Sequence, residues 1–95
     1  MTLREPLAPS DARRLIRDIL GRGEVVSSRH ANEEMSKDGL DIVDCISALR
    51  GGVVEPGELE GGSWRYRVRG RDVWVVVAFR SESRLAIVTA WRTGR

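Results

Sequence analysis

Apolar residues in the first half of the chain recur every three or four positions, the spacing of an amphipathic helix. A first helix is predicted to begin at Pro9 and Ser10, and its apolar face consists of Leu15, Ile16, Ile19 and Leu20. Residues 24–27 follow as a short extended or looping segment. Ser28 can then cap a second helix that runs to about Asp38.

The second helix has a narrow apolar edge, because Ala31 and Met35 are four residues apart. A third helix is predicted to begin at Asp41, where Asp44 three residues later makes an acidic version of the capping box. Its apolar stripe consists of Ile42, Cys45, Ile46 and Leu49. The glycines at 51–52 end this helix.

After these glycines the apolar period changes to two, which indicates β-strands. Strands are predicted at residues 53–55 and in the segments WRYRVR (64–69), VWVVVAF (73–79) and LAIVTAW (85–91). Residues 70–72 make a tight hairpin connection. In the last strand Ala86, Val88 and Ala90 are predicted to form a small-residue face against which helices pack.

This order of elements predicts an α+β protein, with N-terminal helices packed on one face of a C-terminal antiparallel sheet of about four strands. A single domain is expected over residues 1–95, with residues 1–9 flexible. No segment of the chain remains to cover the other face of the sheet. We therefore look for functional residues on that face.

Composition narrows the classes of protein that need to be considered. Hydrophobic residues make up 41% and charged residues 32%, as in ordinary globular domains. No apolar run approaches the ~20 residues of a membrane span, and no signal peptide is recognisable at the start, so we expect a cytoplasmic protein without a membrane partner. The single histidine and single cysteine cannot make a closed zinc site, and no cofactor or metal is predicted. Cys45 is interpreted as a small buried hydrophobe.

Charge is distributed unevenly along the chain. The formal net charge is +2, but residues 1–60 have a balance of −4 and residues 61–95 a balance of +6. Fifteen of the sixteen basic residues are arginine, which binds phosphate through a planar, bidentate fork. The alternative is that the protein comes from an arginine-rich genome, in which case the high arginine content has no role in phosphate binding.

A row of arginines alternates with apolar residues in WRYRVR. Arg65, Arg67 and Arg69 should share one face of a strand at a spacing of roughly 7 Å, which suits the phosphates of RNA. The alternative is an exposed edge strand that is kept soluble by its charge. Tyr66 and Trp91 are expected to be exposed and available to stack on bases, whereas the other aromatic rings are expected in the core.

His30, the only histidine, lies near the predicted start of the second helix. Glu34 is four residues later and could orient the imidazole, and Arg29 at the helix start could hold a phosphate. This combination suits RNA cleavage by the 2′-hydroxyl, in which a base and an acid move protons while cations stabilise the phosphorane. The alternative is that His30 is a capping or packing residue.

Residues 27–55, SSRHANEEMSKDGLDIVDCISALRGGVVE, precede a strand with a tyrosine, a valine-rich strand and a last strand that ends in TAWR. This pattern resembles a family of small bacterial proteins with His-Ala near a helix start and a methionine five residues after the histidine. It is also similar to the motility quorum-sensing regulator toxins and, more distantly, to the RelE-type mRNA interferases. The motility quorum-sensing regulator toxins have the segments Thr-Thr-Arg-Ser-Ala and Gly-Leu-Asp, separated as residues 27–31 and 39–41 are separated here.

The resemblance implies a RelE/barnase-like interferase fold and a metal-independent endoribonuclease that cuts mRNA. It also implies a cognate antitoxin, which could have a zinc-binding or helix-turn-helix fold. It implies Tyr66 and Arg80 as catalytic residues. The third catalytic candidate is His30, which matches the His-Ala family, although the quorum-sensing toxins have serine at its position. The candidate RNA-binding residues are Arg29, Arg65, Arg67, Arg69, Trp91 and Arg92. In the His-Ala family arginines commonly occupy the positions of Glu34 and Asp38, and acidic residues there would weaken RNA contact.

We therefore expect the toxin of a bacterial type II toxin–antitoxin system. The alternative is a non-catalytic RNA-binding or protein-interaction module. A homodimer formed through the uncovered sheet face is a third hypothesis, and it would bury the predicted RNA surface.

Overall fold

The computed structural model describes residues 3–93 of the chain and has the α+β class that the sequence predicts. The helices are α1 (Pro9–Arg22), α2 (Arg29–Lys37) and α3 (Ile42–Gly51). The strands are β1 (Glu24–Ser27), β2 (Val53–Val54), β3 (Glu58–Glu60), β4 (Ser63–Arg69), β5 (Val73–Ser81) and β6 (Arg84–Arg92). No helix in residues 3–93 is long and apolar enough to cross a membrane.

The starts of α2 and α3 follow from their capping residues. The Ser28 side chain accepts a hydrogen bond from the Ala31 backbone N–H at 3.0 Å, which satisfies one free donor at the start of α2. Asp41 and Asp44 form a reciprocal capping box at the start of α3, with both hydrogen bonds at 3.0 Å. Both caps are as the sequence predicts.

The sheet has six strands, two more than the approximately four that were expected. Its order is β1-β6-β5-β4-β2, and β3 pairs separately with β4. All neighbours are antiparallel except β1 and β6, which are parallel. The added strands are β1, which forms only through its partner about 60 residues away, and β3, whose sequence ELE has little apolar character.

Helix α2 takes over the edge of the sheet where β1 ends. β1 pairs with β6 only as far as Ser27 opposite Ile87. Beyond that point α2 runs beside β6, and Asp38 at its end accepts a hydrogen bond from the Arg92 backbone N–H at 2.9 Å. The first turn of α2 therefore lies near the middle of β6.

The core lies between the helices and one face of the sheet, as predicted. On β5 this face carries Val73, Val75, Val77 and Phe79, all at most 8% exposed. The other face, here called the arginine face, is defined by Arg65, Arg67, Trp74, Val76 and Arg80. Its β5 positions alternate with the core positions, so the period of two separates the two faces as expected.

A β-bulge in β6 changes which residues face the core. Val77 pairs with Ile87 but Val76 pairs with Thr89, so Val88 is an extra residue. Ala86 and Val88 consequently lie beside Thr89 on the arginine face, while Ala90 returns to the core. The prediction that Ala86 and Val88 form a helix-packing face is therefore wrong, because it assumed uninterrupted alternation.

Candidate functional site

A cleft of about 420 Å³ on the arginine face brings together three of the predicted residues, and we call it the central cleft. His30 reaches it from the first turn of α2, Arg65 from β4 and Arg80 from β5. The other lining residues are Ser28, Ser63, Ala78, Ala86, Ile87, Val88 and Thr89. Small side chains at the base of the cleft leave room between one histidine and two guanidinium groups.

His30 is exposed to solvent in this cleft. Glu34 does not act as its partner, because its Oε2 atom accepts a hydrogen bond from Lys37 Nζ at 2.9 Å. This hydrogen bond and the charge of Lys37 lower the pKa of Glu34, and the charge of His30 contributes less. The interpretation of Glu34 as the group that orients His30 is therefore not supported by the contacts.

Tyr66 lies on the opposite side of the sheet from the central cleft. Its side chain is 0% exposed, and its hydroxyl accepts a hydrogen bond from the Leu7 N–H at 2.9 Å and donates one to Glu5 Oε2 at 3.0 Å. Burial raises the pKa of Tyr66 to about 12. A Cβ atom added at Gly57 would lie 2.8 Å from the Tyr66 ring, so the chain encloses the phenol closely. The expectation that Tyr66 is exposed is wrong, and it does not converge with His30 and Arg80.

Two glutamates of β3 face the arginine row of β4. Arg65 Nη1 lies 3.0 Å from Glu60 Oε1, and Arg67 Nη2 lies 3.9 Å from Glu58 Oε1. The Arg65 Nε atom is buried and has no hydrogen-bond partner in the described part of the chain. The row of cations is therefore partly neutralised, with one donor of Arg65 left unsatisfied.

The sequence contained a signal for β3 that was missed. Gly61 and Gly62 both have positive φ, 60° and 80°, and form a two-residue turn between Glu60 and Ser63. A Gly-Gly pair between two segments that alternate is a hairpin signal. Recognising it would have placed Glu58 opposite Arg65 and Glu60 opposite Ser63, so that each glutamate lies diagonally across from the arginine with which it pairs.

Tryptophan rings form the part of the arginine face beside the central cleft. Trp74 and Trp91 stack with 6.0 Å between ring centroids and 4° between their planes. The guanidinium carbons of Arg67 and Arg69 lie 5.6 and 5.9 Å from the Trp74 ring centroid. Trp91 is partly exposed as expected, but Trp74, expected in the core, is also on this face.

Trp91 also lines a cavity of about 270 Å³, here called the tryptophan pocket. It shares Arg65, Val88 and Thr89 with the central cleft, so the two adjoin. Its lining combines Arg65 and Arg67 with the carboxylates of β3. Aromatic, cationic and hydrogen-bonding groups are thus continuous along the arginine face.

The remaining predicted residues lie outside the central cleft. Arg29 is exposed at the first position of α2. Arg92 donates hydrogen bonds to the carbonyl oxygens of Asp38 and Gly39, at 3.2 and 3.3 Å, and thereby holds the end of α2 against β6. Arg69 is exposed and contacts the ring of Trp74.

A larger cavity, of about 550 Å³, lies between the N-terminal segment and α1. Its apolar lining comes from Leu3, Leu7 and Leu15, and the charged residues around it lie on α1, the N-terminal segment and the β5–β6 turn. It contains none of the predicted site residues. We therefore base the functional interpretation on the central cleft.

Comparisons with family models, curated proteins and solved structures found no significant match to this chain. The functional interpretation therefore depends on the geometry and chemistry of the arginine face.

Proposed function

We propose that the protein is a metal-independent endoribonuclease that binds single-stranded RNA on the arginine face and cuts it in the central cleft. The observation that carries the proposal is the convergence of His30, Arg65 and Arg80 on one exposed cleft. The partly exposed Trp91 beside it offers an aromatic surface for an unpaired base.

The chemistry assigned to this cleft is attack of a ribose 2′-hydroxyl on the adjacent phosphorus. His30 accepts the proton of the 2′-hydroxyl as the bond between the 2′-oxygen and phosphorus forms. His30 then returns the proton to the 5′-oxygen as the bond between that oxygen and phosphorus breaks. The products are a 2′,3′-cyclic phosphate and a 5′-hydroxyl. Arg65 and Arg80 stabilise the additional negative charge on the phosphorane oxygens.

The resemblance to interferase toxins supports mRNA as the substrate and a cognate antitoxin as the inhibitor. In this proposal Tyr66 is a structural residue, so His30 is the proton-transfer group and Arg80 binds phosphate. Histidine is suited to this task, because its side chain exchanges protons readily near neutral pH.

The test is controlled expression of the protein in bacteria, together with incubation of the purified protein with RNA alone and in a translating extract. We expect growth arrest and RNA cleavage in the presence of a metal chelator. His30→Ala and Arg80→Ala should abolish both effects, while Arg14→Ala, on the exposed side of α1, should not. Intact RNA in both assays, or cleavage that persists in His30→Ala, would contradict the proposal.

A second candidate is an RNA-binding module without catalysis. The burial of Tyr66 favours it, because His30 is then the only one of the two predicted acid/base residues that lines the cleft. This candidate predicts salt-dependent RNA binding with no cleavage product in any of the assays above.

A further inference from the structure

The turn between β5 and β6 forms a second basic cavity next to the central cleft. This turn cavity has a volume of about 480 Å³ and is lined by Arg22, Arg80 and Arg84 together with Glu24, Ser81 and Ser83. Arg80 lines the central cleft as well, so the two cavities adjoin on either side of its side chain. None of Arg22, Arg84 or the two serines was predicted as a site residue.

Backbone contacts fix the end of α1 against this turn. The Glu24 N–H donates a hydrogen bond to the Ser83 carbonyl oxygen at 2.8 Å. A Cβ atom at Gly23 would lie only 2.3 Å from the same oxygen, so only glycine allows this close approach. Arg22 at the end of α1 is therefore held beside Arg80 and Arg84 by the main chain.

Positive charge predominates around the turn cavity. Arg84 pairs with Glu24 at 2.8 Å, and Arg22 pairs with Asp18 of its own helix. Arg80 forms no ion pair within residues 3–93, and it stands at the junction of the two cavities. The lining of the turn cavity thus contains three guanidinium groups and one carboxylate. The two ion pairs, Arg84 with Glu24 and Arg22 with Asp18, are exposed to solvent and therefore weak.

We propose that the turn cavity is a second phosphate subsite, which binds a phosphodiester of the same RNA strand beyond the one in the central cleft. This inference rests on the proposed function. Since RNA carries one phosphate per nucleotide, a strand held at Arg80 must place its next phosphates outside the central cleft. The fork of Arg84 and the hydroxyls of Ser81 and Ser83 supply donors of the kind that phosphate oxygens accept.

The test measures the salt dependence of RNA binding by fluorescence anisotropy. The probes are 2′-O-methyl oligoribonucleotides, which lack the nucleophile, with lengths of about three and about ten nucleotides. For the longer probe, Arg84→Ala should reduce the slope of log K against log[KCl] by ~0.7, the value for one phosphate contact with a single strand. For the shorter probe, which can occupy the central cleft alone, the slope should not change.

Matched variants separate this effect from a general loss of charge. Glu24→Gln removes the carboxylate that competes for Arg84, so it should raise affinity for the longer probe. Arg84→Lys should retain most of the slope, whereas Arg14→Ala, an equal loss of charge elsewhere, should leave both probes unaffected. Thermal unfolding of each variant checks that the β1–β6 pairing is intact.

The results distinguish this inference from the function on which it rests. If Arg84→Ala and Arg22→Ala leave the slope for the longer probe unchanged while RNA is still bound, the turn cavity is not a subsite and the proposed function stands. If neither probe binds the wild-type protein, both proposals are overturned.

Discussion

Replacing Tyr66 with phenylalanine should destabilise the protein without changing RNA cleavage by the folded molecules. The substitution keeps the buried ring, whose centroid lies 5.2 Å from the centroid of the Phe79 ring, and removes only the hydroxyl. That hydroxyl bonds to the Leu7 N–H at 2.9 Å and to Glu5 at 3.0 Å. At roughly 0.5–1.5 kcal/mol for each hydrogen bond, the free energy of unfolding should fall by about 1–3 kcal/mol. Each kcal/mol corresponds to about 4–8 °C in Tm for a chain of this size.

The effect of Tyr66 should also depend on pH. Burial raises the pKa of the phenol to about 12 in the folded protein, above its value of about 10 in an unfolded chain. The neutral phenol therefore contributes stability that is complete below pH ~10 and is lost as the pH rises towards 12. Tyr66→Phe has no such group, so the difference in stability between the two proteins should shrink over this range.

Urea unfolding followed by circular dichroism, at neutral pH and through the alkaline range, measures both effects. Arg80→Ala is the matched control with the opposite pattern, because an exposed arginine without an ion pair changes stability by less than ~0.5 kcal/mol but should abolish cleavage. A Tyr66→Phe protein with unchanged Tm and no RNA cleavage would refute the argument from burial. It would restore Tyr66 to the catalytic residues.

Three other substitutions or treatments test separate parts of the structure. Glu60→Gln releases Arg65 from a partly exposed ion pair worth about 0.2–1 kcal/mol. The affinity for RNA, measured by fluorescence anisotropy, should therefore rise about 1.4- to 5-fold. An unchanged affinity would show that Glu60 does not compete with RNA for Arg65. Ser28→Ala removes the cap of α2 and should lower the free energy of unfolding by ~1 kcal/mol in urea titrations, with Ser28→Asp restoring most of it. Burial, together with the nearby carboxylates of Asp44 and Asp41, raises the pKa of the Cys45 thiol to about 11. At pH ~8 an alkylating reagent should therefore label Cys45 in urea but not in the native protein. Rapid labelling of the native protein would contradict its burial.

The elements that the sequence predicts correctly are those with local signals. Capping side chains at Ser28 and Asp41 and apolar stripes at helical spacing fix α2 and α3 from within each segment. Of the two strands that were not recognised, β3 had a local signal in the Gly-Gly turn, whereas β1 depends on a distant partner. β1 has only four residues and becomes a strand by pairing with β6. The formation of β1 therefore depends on the tertiary fold and cannot be predicted from residues 24–27 and their neighbours in the sequence.

The position of Tyr66 shows a conflict between two kinds of sequence reasoning. The alternation in WRYRVR places Tyr66 on the same side as Val68, and both are 0% exposed. The arginines on either side of Tyr66 instead favoured an exposed ring, and the resemblance to interferase toxins added a catalytic role. The alternation was the better guide, since a strand packed against helices buries every second residue whatever its neighbours are.

The central cleft depends on two interruptions of the sheet that occur at the same point. β1 ends at Ser27 opposite Ile87, and the bulge that follows places Val88 and Thr89 together on the arginine face. Helix α2 begins immediately after Ser28, so its first turn brings His30 to the gap that the missing strand leaves. With uninterrupted alternation in β6, Ala86 and Thr89 would face opposite sides, and the floor of the cleft would not form. The residue types of the site could thus be identified from the sequence, but their convergence required the bulge and the helix start, which only the folded chain combines.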